Sequence, residues 1–72
     1  MMAHALRVAR KKAKISQREL AKRMGVAQPR VAAIERATDL NLSTFRRYVE
    51  GIGGRTRVEI LVGDTRVSVL GD

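Results

Sequence analysis

The sequence predicts a mainly α-helical fold: four helices form one domain, and a two-stranded antiparallel hairpin follows at the C-terminal end. Two patterns support this. Apolar residues recur every three or four positions as far as Ile52, as on the buried face of a helix, and from Val58 every second residue is apolar, as in a half-buried strand. The 72 residues are enough for one small domain. We assign residues 1–54 to the helical unit and 55–72 to the hairpin.

The first two helices are separated by a clear start signal. Residues 3–14 predict an amphipathic helix that has a narrow apolar stripe including Leu6, with basic side chains such as Arg10 on the remaining faces. Ser16 is the predicted N-cap of the second helix, and Glu19, three residues later, is expected to reach back and complete a capping box.

The next two helices are bounded in the same way. Gly25 ends the second helix, since the following turn favours a positive φ. A third helix is expected over residues 28–36, with Pro29 in the first turn, where a missing N–H costs nothing. Asn41 is the predicted N-cap of a fourth helix, which stops at the glycine pair 53–54.

The C-terminal segment predicts a hairpin with one apolar face. Gly63-Asp64 is a two-residue connection of the type that favours a primed turn. The expected register pairs Val62 with Thr65, Ile60 with Val67, and Val58 with Val69. A hairpin alone is not stable, so its face must pack on the fourth helix, on a second copy or on another protein. Our hypothesis is a dimerisation element formed by Val58, Ile60, Val62, Val67 and Val69.

Composition excludes several classes of function. The chain has no cysteine and a single histidine, so disulfide scaffolds, thiol catalysis and a histidine-based metal site are not expected. No set of catalytic acids and bases is present either, and we expect neither an enzyme nor a cofactor. No apolar run approaches 18 residues and no signal-peptide pattern opens the chain, which predicts a cytoplasmic protein without a membrane partner.

The net positive charge lies in one half of the chain. The net charge is +8, and residues 1–36 carry all of it, with ten bases against two acids. Clustered bases repel one another, so a basic half beside a neutral half predicts a polyanionic partner. A solubilising basic face is the alternative explanation.

Two short helices joined by residues 25–27 predict a helix-turn-helix, with Ala21 as the small residue at the helix crossing. The segment from Ile15 to Val31, closed by Ile34-Glu35, resembles the signature of the phage-repressor-like, or XRE-type, helix-turn-helix family. This resemblance covers about residues 6–53.

The resemblance implies a sequence-specific contact with double-stranded DNA. Gln17 would contact a phosphate and brace the third helix, and Gln28 would bind adenine through two hydrogen bonds. Arg30 would read guanine or grip a phosphate, and Ala33 would touch a thymine methyl group. The glutamines and Arg30 could also be ordinary solvated residues. The predicted DNA-binding set is Gln17, Arg18, Lys22, Gln28, Pro29, Arg30, Ala33 and Arg36.

One position departs from the family pattern. Ala27 stands where the family usually has Ser or Thr as the cap of the third helix. The missing side-chain cap is expected to cost about 0.5–2 kcal/mol of helix stability, part of which Pro29 offsets by fixing φ in the first turn.

The fourth helix, the glycine pair and the strands also resemble the HigA-like antitoxins of this family. That resemblance implies a dimeric, nucleoid-bound bacterial repressor, which acts on a palindromic operator of its own toxin–antitoxin operon. It also implies a toxin partner, usually a nuclease that cleaves messenger RNA. The alternative is an antitoxin whose main role is to neutralise the toxin, with weak or non-specific DNA binding.

Overall fold

A computed structural model describes residues 2–70, and the side chains of residues 4–69. It contains, in order, α1 (Met2–Lys12), α2 (Gln17–Met24), α3 (Gln28–Arg36), α4 (Leu42–Gly51), β1 (Val58–Val62) and β2 (Thr65–Leu70). The predicted fold class is confirmed. None of the helices in this described part is long and apolar enough to cross a membrane.

The predicted capping box at α2 is only half formed. The Ser16 hydroxyl accepts a hydrogen bond from the Glu19 N–H at 3.0 Å, as expected for an N-cap. The Glu19 carboxylate, however, accepts from Arg23 Nε at 3.1 Å, one turn further along the same helix. An exposed carboxylate gains more from a cation at i+4 than from a backbone amide already open to water, so it does not reach back.

The predicted end of α2 and start of α4 are confirmed, whereas α1 ends at Lys12 instead of residue 14 and α4 ends at Gly51, just before the glycine pair. Gly25 ends α2 in the left-handed region at φ +71°. Asn41 caps α4, where its side-chain oxygen accepts from the Thr44 N–H at 2.8 Å. Ala27 provides no side-chain cap for α3, and a proline lies in the first turn, as the sequence indicates.

The core lies where α2, α3 and α4 meet, and α1 covers one side of it. Its buried hydrophobic residues are Leu6, Leu20, Ala21, Val31, Ile34 and Tyr48. Gly51 lets α4 approach α2 closely, because a Cβ atom there would lie 2.5 Å from Leu20 Cδ1. Two arginines tie these helices at their ends: Arg23 donates to the Gly51 carbonyl at 3.2 Å, and Arg47 donates to the Met24 carbonyl at 3.0 Å.

The buried stripe of α1 differs from the prediction. Leu6 is buried as expected, but its partner one turn later is Arg10, which the sequence pattern assigns to the polar face. The prediction was wrong because Arg10 finds its charge partner on another helix, as described below. After α1, Lys14 adopts φ +60°, and the Ile15 N–H then donates to the Arg10 carbonyl at 3.3 Å. The left-handed residue thus closes the helix as a glycine usually does.

The hairpin has the predicted turn and most of the predicted register. Val62 pairs with Thr65 and Ile60 with Val67, whereas Val58 pairs with Leu70 instead of Val69. A register shift between Val58 and Glu59 leaves Val69 as an extra residue in β2, so that part of the prediction was wrong. In the turn, Gly63 has φ +58° and Asp64 does not have a positive φ, the pattern of a type II′ turn.

The apolar face of the hairpin is not covered by the helices. Exposure is 50% for Ile60, 66% for Val62 and 49% for Val67, while Val58 is half-buried. The radius of gyration is 13.2 Å, compared with about 11 Å for a compact chain of this length. The long axis of 42 Å is about twice the other two. Packing on α4 therefore does not bury these three side chains.

Candidate nucleic-acid interface

The interface is built on the close crossing of α2 and α3. Ala21 is 4% exposed and Leu20 and Val31 are fully buried at this crossing, so the two helices are fixed against each other by their shared core. The three residues between them form a tight turn, in which the Val26 N–H donates to the Ala21 carbonyl at 2.9 Å. Any side chain on the outer face of α3 is therefore held by a rigid support.

The outer face of α3 is open to solvent. Val31 and Ile34 point into the core, whereas Pro29, Ala33 and Arg36 are exposed at spacings i, i+4 and i+7, along one side of the helix. The centre of this face is small and apolar, because neither Pro29 nor Ala33 carries a polar side-chain atom. The helix backbone can thus come close to whatever it contacts.

Polar side chains lie on both flanks of this face. Each residue turns an α-helix by about 100°, which places Gln28 on one flank and Arg30 on the other. Both are exposed. Arg30 also borders a groove of about 210 Å³ that α3 shares with the loop leading to α4, where Asp39, Asn41 and Thr44 complete the lining. The predicted polar contacts of α3 are thus separated by its apolar centre.

Gln17 connects the start of α2 to α3. Its side-chain amide donates from Nε2 to Glu35 Oε1 at 3.0 Å, and the side chain is half-buried. This hydrogen bond to α3 is compatible with the bracing role that the family resemblance implies. The amide nitrogen has a second N–H, and the amide oxygen is also not used by Glu35. The contact of Gln17 with a phosphate stays a prediction.

Glu35 is the centre of a buried polar network. Arg10 donates to it from Nε at 2.6 Å and from Nη2 at 3.2 Å. The two hydrogen bonds form a bidentate ion pair between α1 and α3. The exposed fractions of the two side chains are 8% and 3%. The third nitrogen of Arg10, Nη1, donates to the Ile15 carbonyl at 2.8 Å, which fastens the turn between α1 and α2.

Tyr48 brings α4 into the same network. Its ring is fully buried, and its hydroxyl donates to Glu35 Oε2, with the Leu6 carbonyl also in reach at 3.2 Å. The hydroxyl has one proton, and the charged carboxylate is the stronger acceptor. The carboxylate of Glu35 therefore receives donors from α1, α2 and α4, and it joins all three to α3.

The protonation states follow from this arrangement. Burial would raise the pKa of Glu35, but hydrogen bonds from Arg10, Tyr48 and Gln17 outweigh burial and hold that pKa below its usual range. The hydrogen bond to Glu35 is the main reason that the pKa of Arg10 is raised. Burial, with the nearby Glu35 carboxylate, raises the pKa of Tyr48. At neutral pH the network contains a carboxylate, a guanidinium and a neutral phenol.

The net positive charge of residues 1–36, the basic half of the chain, is concentrated on the surface. Glu35 pairs with Arg10 and Glu19 with Arg23, so the two acids of residues 1–36 are both used within that half. Eight of its ten bases are left without an acid from the same half. All eight are exposed: Arg7, Lys11, Lys12, Lys14, Arg18, Lys22, Arg30 and Arg36.

The predicted DNA-binding residues lie on three parts of this surface. Arg18 and Lys22 are exposed one turn apart on α2, Gln17 stands at the start of that helix, and the other five are on the exposed side of α3. Sequence reasoning missed Arg10 and Tyr48, which hold Glu35 and through it Gln17. The spacing of Arg10 one turn after the buried Leu6 was the available signal, since a base on a buried stripe needs an acidic partner.

The comparisons with known proteins agree with this geometry. A family model described as "Helix-turn-helix" matches residues 6–59. Antitoxin HigA1 of Mycobacterium tuberculosis, from two strains, is 43% identical over 63 residues, which cover 86% of this chain and 42% of HigA1. The chain thus spans about two fifths of the length of these curated relatives.

Two solved structures have the same fold. One is described as "Induced DNA bending by unique dimerization of HigA antitoxin", with a TM-score of 0.72, 32% identity, and coverage of 75% of this chain and 74% of that one. The other is "DNA bound antitoxin HigA3", with a TM-score of 0.71, 32% identity, and coverage of 75% and 72%. The chain belongs to the XRE-type helix-turn-helix family and, within it, to the HigA-like antitoxins.

Proposed function

We propose that this protein is a sequence-specific transcriptional repressor that binds double-stranded DNA with α3 in the major groove. The observation that carries the proposal is the exposed side of α3, where polar groups able to read bases flank a small apolar centre on a rigid support. The eight surface bases of residues 1–36 attract the phosphate backbone. A HigA3 antitoxin with a similar fold is described as DNA-bound, which supports the same role here.

The six polar and charged residues of the predicted set have two kinds of role in this interface. Gln28 presents a donor and an acceptor to adenine, and Arg30 presents paired donors to guanine or to a phosphate. Gln17, Arg18, Lys22 and Arg36 contact the backbone and fix the register of α3 on the duplex.

The first experiment is selection from random duplex DNA by the purified protein at about 150 mM salt, followed by sequencing. Enrichment of a pseudo-palindrome, with half-sites about 34–36 Å apart or a multiple of that distance, is the expected result. Binding without enrichment would favour the alternative, an antitoxin that holds DNA only non-specifically. Absence of binding would mean that a protein partner completes the DNA-binding complex.

A single arginine distinguishes base reading from general attraction. Arg30→Ala is expected to cost about 1–3 kcal/mol on the selected operator, with relaxed preference at one base position if Arg30 reads guanine. Arg57→Ala is the matched control, because Arg57 is an exposed arginine outside the helical unit. Equal losses on every sequence for Arg30→Ala would make Arg30 a phosphate contact instead.

Dimerisation through the hairpin is the second part of the proposal. Ile60, Val62, Val67 and Val69 are about half exposed or more, and a dimer that buries them would explain why a small chain keeps them on its surface. A related HigA antitoxin is described by its "unique dimerization". A two-fold dimer would also place two α3 helices on the two halves of a palindromic operator.

Two neighbouring positions of β2 test the hairpin interface. Val67 and Ser68 lie on opposite faces of the strand, so Val67→Asp and Ser68→Asp place the same charge on the apolar face and on the other face. Sedimentation is expected to show a monomer for Val67→Asp and a dimer for Ser68→Asp. A dimeric Val67→Asp protein would refute this interface while leaving the DNA-binding proposal in place.

The antitoxin role is the third part. As a HigA-like antitoxin, the protein is proposed to act in the bacterial cytoplasm, to bind a toxin and to repress the operon that encodes both. Co-purification with the product of the neighbouring gene would test toxin binding. Repression by this protein of a reporter gene placed under the promoter of that operon would test the second activity separately. Toxin neutralisation without repression would favour the alternative function.

A further inference from the structure

We infer that a depression at the C-terminal ends of α2 and α4 binds a carboxylate of a protein partner, with Arg47 as the main contact. The inference rests on the proposed antitoxin role, under which this partner is the toxin. The depression has a volume of about 410 Å³. Its lining residues are Arg23, Met24, Arg47, Glu50, Gly51 and Gly53.

The first step is that the two arginines are held in place. Arg23 donates to the Gly51 carbonyl at 3.2 Å and to Glu19 Oε2 at 3.1 Å. Arg47 donates from Nη2 to the Met24 carbonyl at 3.0 Å. Each guanidinium is therefore fixed against the last residue of the other helix before a partner binds, which lowers the entropic cost of a contact.

The second step is the hydrogen-bonding capacity that remains on Arg47. Its bond to α2 uses one of the five N–H groups of the guanidinium, so a planar pair of donors stays available. Arg47 is exposed, and no carboxylate of residues 4–69 forms an ion pair with it. In the neighbouring Arg46, by contrast, Nη2 lies 3.9 Å from Glu50 Oε2. Arg47 therefore combines a fixed position with an unpaired charge, which suits a bidentate carboxylate contact.

The charge and shape of the lining indicate what kind of group binds. Arg23, Arg47 and Glu50 give the lining a net charge of +1, which matches a single carboxylate, whereas a run of phosphates is bound by several bases together. Four of the six lining residues are exposed, so a small molecule would be poorly enclosed and a protein surface fits better. Gly53 leaves room for such a surface, because a Cβ atom there would meet nothing within 4 Å.

The position of the depression indicates which protein partner it serves. Among the described residues, none of α3 and none of the two strands lines it. In our proposal, a repressor dimer on its operator has α3 covered by DNA and the hairpin covered by the second copy. A toxin bound at the ends of α2 and α4 would occupy a third surface, so the same dimer could hold DNA and toxin together.

Two neighbouring arginines of α4 test the contact. Arg47→Ala removes the fixed guanidinium, whereas Arg46→Ala removes an arginine that does not line the depression. Isothermal titration calorimetry of the full chain with the purified product of the neighbouring gene measures the affinity. Arg47→Ala is expected to weaken binding about thirtyfold or more, the effect of removing one partner of a close charge pair. Arg46→Ala is expected to change the affinity about threefold or less.

A second pair of variants tests the sign of the charge and leaves both arginines in place. Gly53→Asn and Gly53→Asp introduce side chains of nearly the same size, and both residue types tolerate the φ of +82° at this position. Only the aspartate carries a charge that repels a carboxylate. Gly53→Asp is therefore expected to bind the gene product about fivefold more weakly than Gly53→Asn.

The outcomes separate this inference from the proposed function. Folded Arg47→Ala and Gly53→Asp proteins that bind as tightly as their controls would overturn the inference and leave the antitoxin role in place. If Arg47→Ala does not fold, the Gly53 pair alone decides. Weaker operator binding by Arg47→Ala with unchanged toxin binding would also overturn the inference, since the site would then contact a phosphate. A wild-type protein that does not bind the gene product would overturn the antitoxin role and this inference with it.

Discussion

The helical unit and the hairpin treat buried and exposed groups in opposite ways. In the helical unit a charged pair and a phenol are buried, and hydrogen bonds among Arg10, Glu35, Gln17 and Tyr48 satisfy them. In the hairpin, apolar side chains such as Ile60 remain half exposed. The helices thus satisfy one another's buried polar groups within a single chain. The hairpin, by contrast, leaves its apolar side chains open to solvent.

The largest expected effect is the loss of the carboxylate at the centre of the network. Glu35→Ala leaves Arg10 buried without a charge partner and is expected to lower the free energy of unfolding by about 3–5 kcal/mol. Glu19→Ala is the control, because its pair with Arg23 is about half exposed and is worth about 0.2–1 kcal/mol. Urea denaturation followed by circular dichroism measures both. Equal losses for the two variants would mean that the buried ion pair contributes no more to stability than the exposed one.

The same substitution in both regions gives the most direct test. Ile34→Ala creates a cavity in a side chain that is 2% exposed and is expected to cost about 2–5 kcal/mol. Ile60→Ala removes the same atoms from a side chain that is 50% exposed, so we expect a loss of about 1 kcal/mol or less. Thermal unfolding at low protein concentration, where self-association is disfavoured, measures the stability of the two variants as single chains. An Ile60→Ala cost that grows with protein concentration would locate the burial of Ile60 in a dimer.

Removal of one hydroxyl is expected to have a smaller effect. Tyr48→Phe keeps the buried ring but takes one donor from Glu35, which we expect to cost about 1–3 kcal/mol. Phe45→Leu, at a half-buried position of the same helix, controls for general loosening of α4. Urea unfolding again provides the measurement, and a Tyr48→Phe protein as stable as the wild type would mean that Arg10 and Gln17 alone satisfy the carboxylate.

The smallest expected effect is absent at neutral pH and appears only on acidification. The pKa of Glu35 is lower in the folded state than in the unfolded chain, so the stability that this carboxylate contributes is fully present above about pH 4.5. That stability is lost as the pH falls through the folded-state pKa. Unfolding free energies measured between pH 7 and pH 3 are expected to decline at the acid end. In Glu35→Gln the decline should be shallower, and an unchanged slope would assign it to other carboxylates.

Local features of the fold were predictable and distant contacts were not. The Ser16 and Asn41 caps, the left-handed Gly25 and the turn at Gly63 depend on a few neighbouring residues, and all were confirmed. Arg10 was assigned to the wrong face because its partner, Glu35, is 25 residues away and helical periodicity does not report charge pairing.

The same distinction applies to the hairpin and the interface. The turn set the register of the nearest strand pairs, but nothing in the sequence near Val69 indicates that it is an extra residue. The exposed face of α3 followed from the buried positions of Val31 and Ile34, which the helical period reveals. The role of Tyr48 did not follow, because its hydroxyl donates to Glu35, which is 13 residues away on another helix, and helical periodicity does not report such a contact.

The hydrogen bond from Gln17 to Glu35 has a consequence for the entropy of DNA binding. A carboxylate accepts and does not donate, so it fixes which end of the amide faces inward: Nε2 is turned to Glu35 and cannot exchange places with the oxygen. A free glutamine would lose rotational freedom on meeting a phosphate, at a cost of about 0.5–1.5 kcal/mol. In this protein the side chain is ordered when the chain folds, so in the proposed phosphate contact most of that loss is incurred before DNA binds.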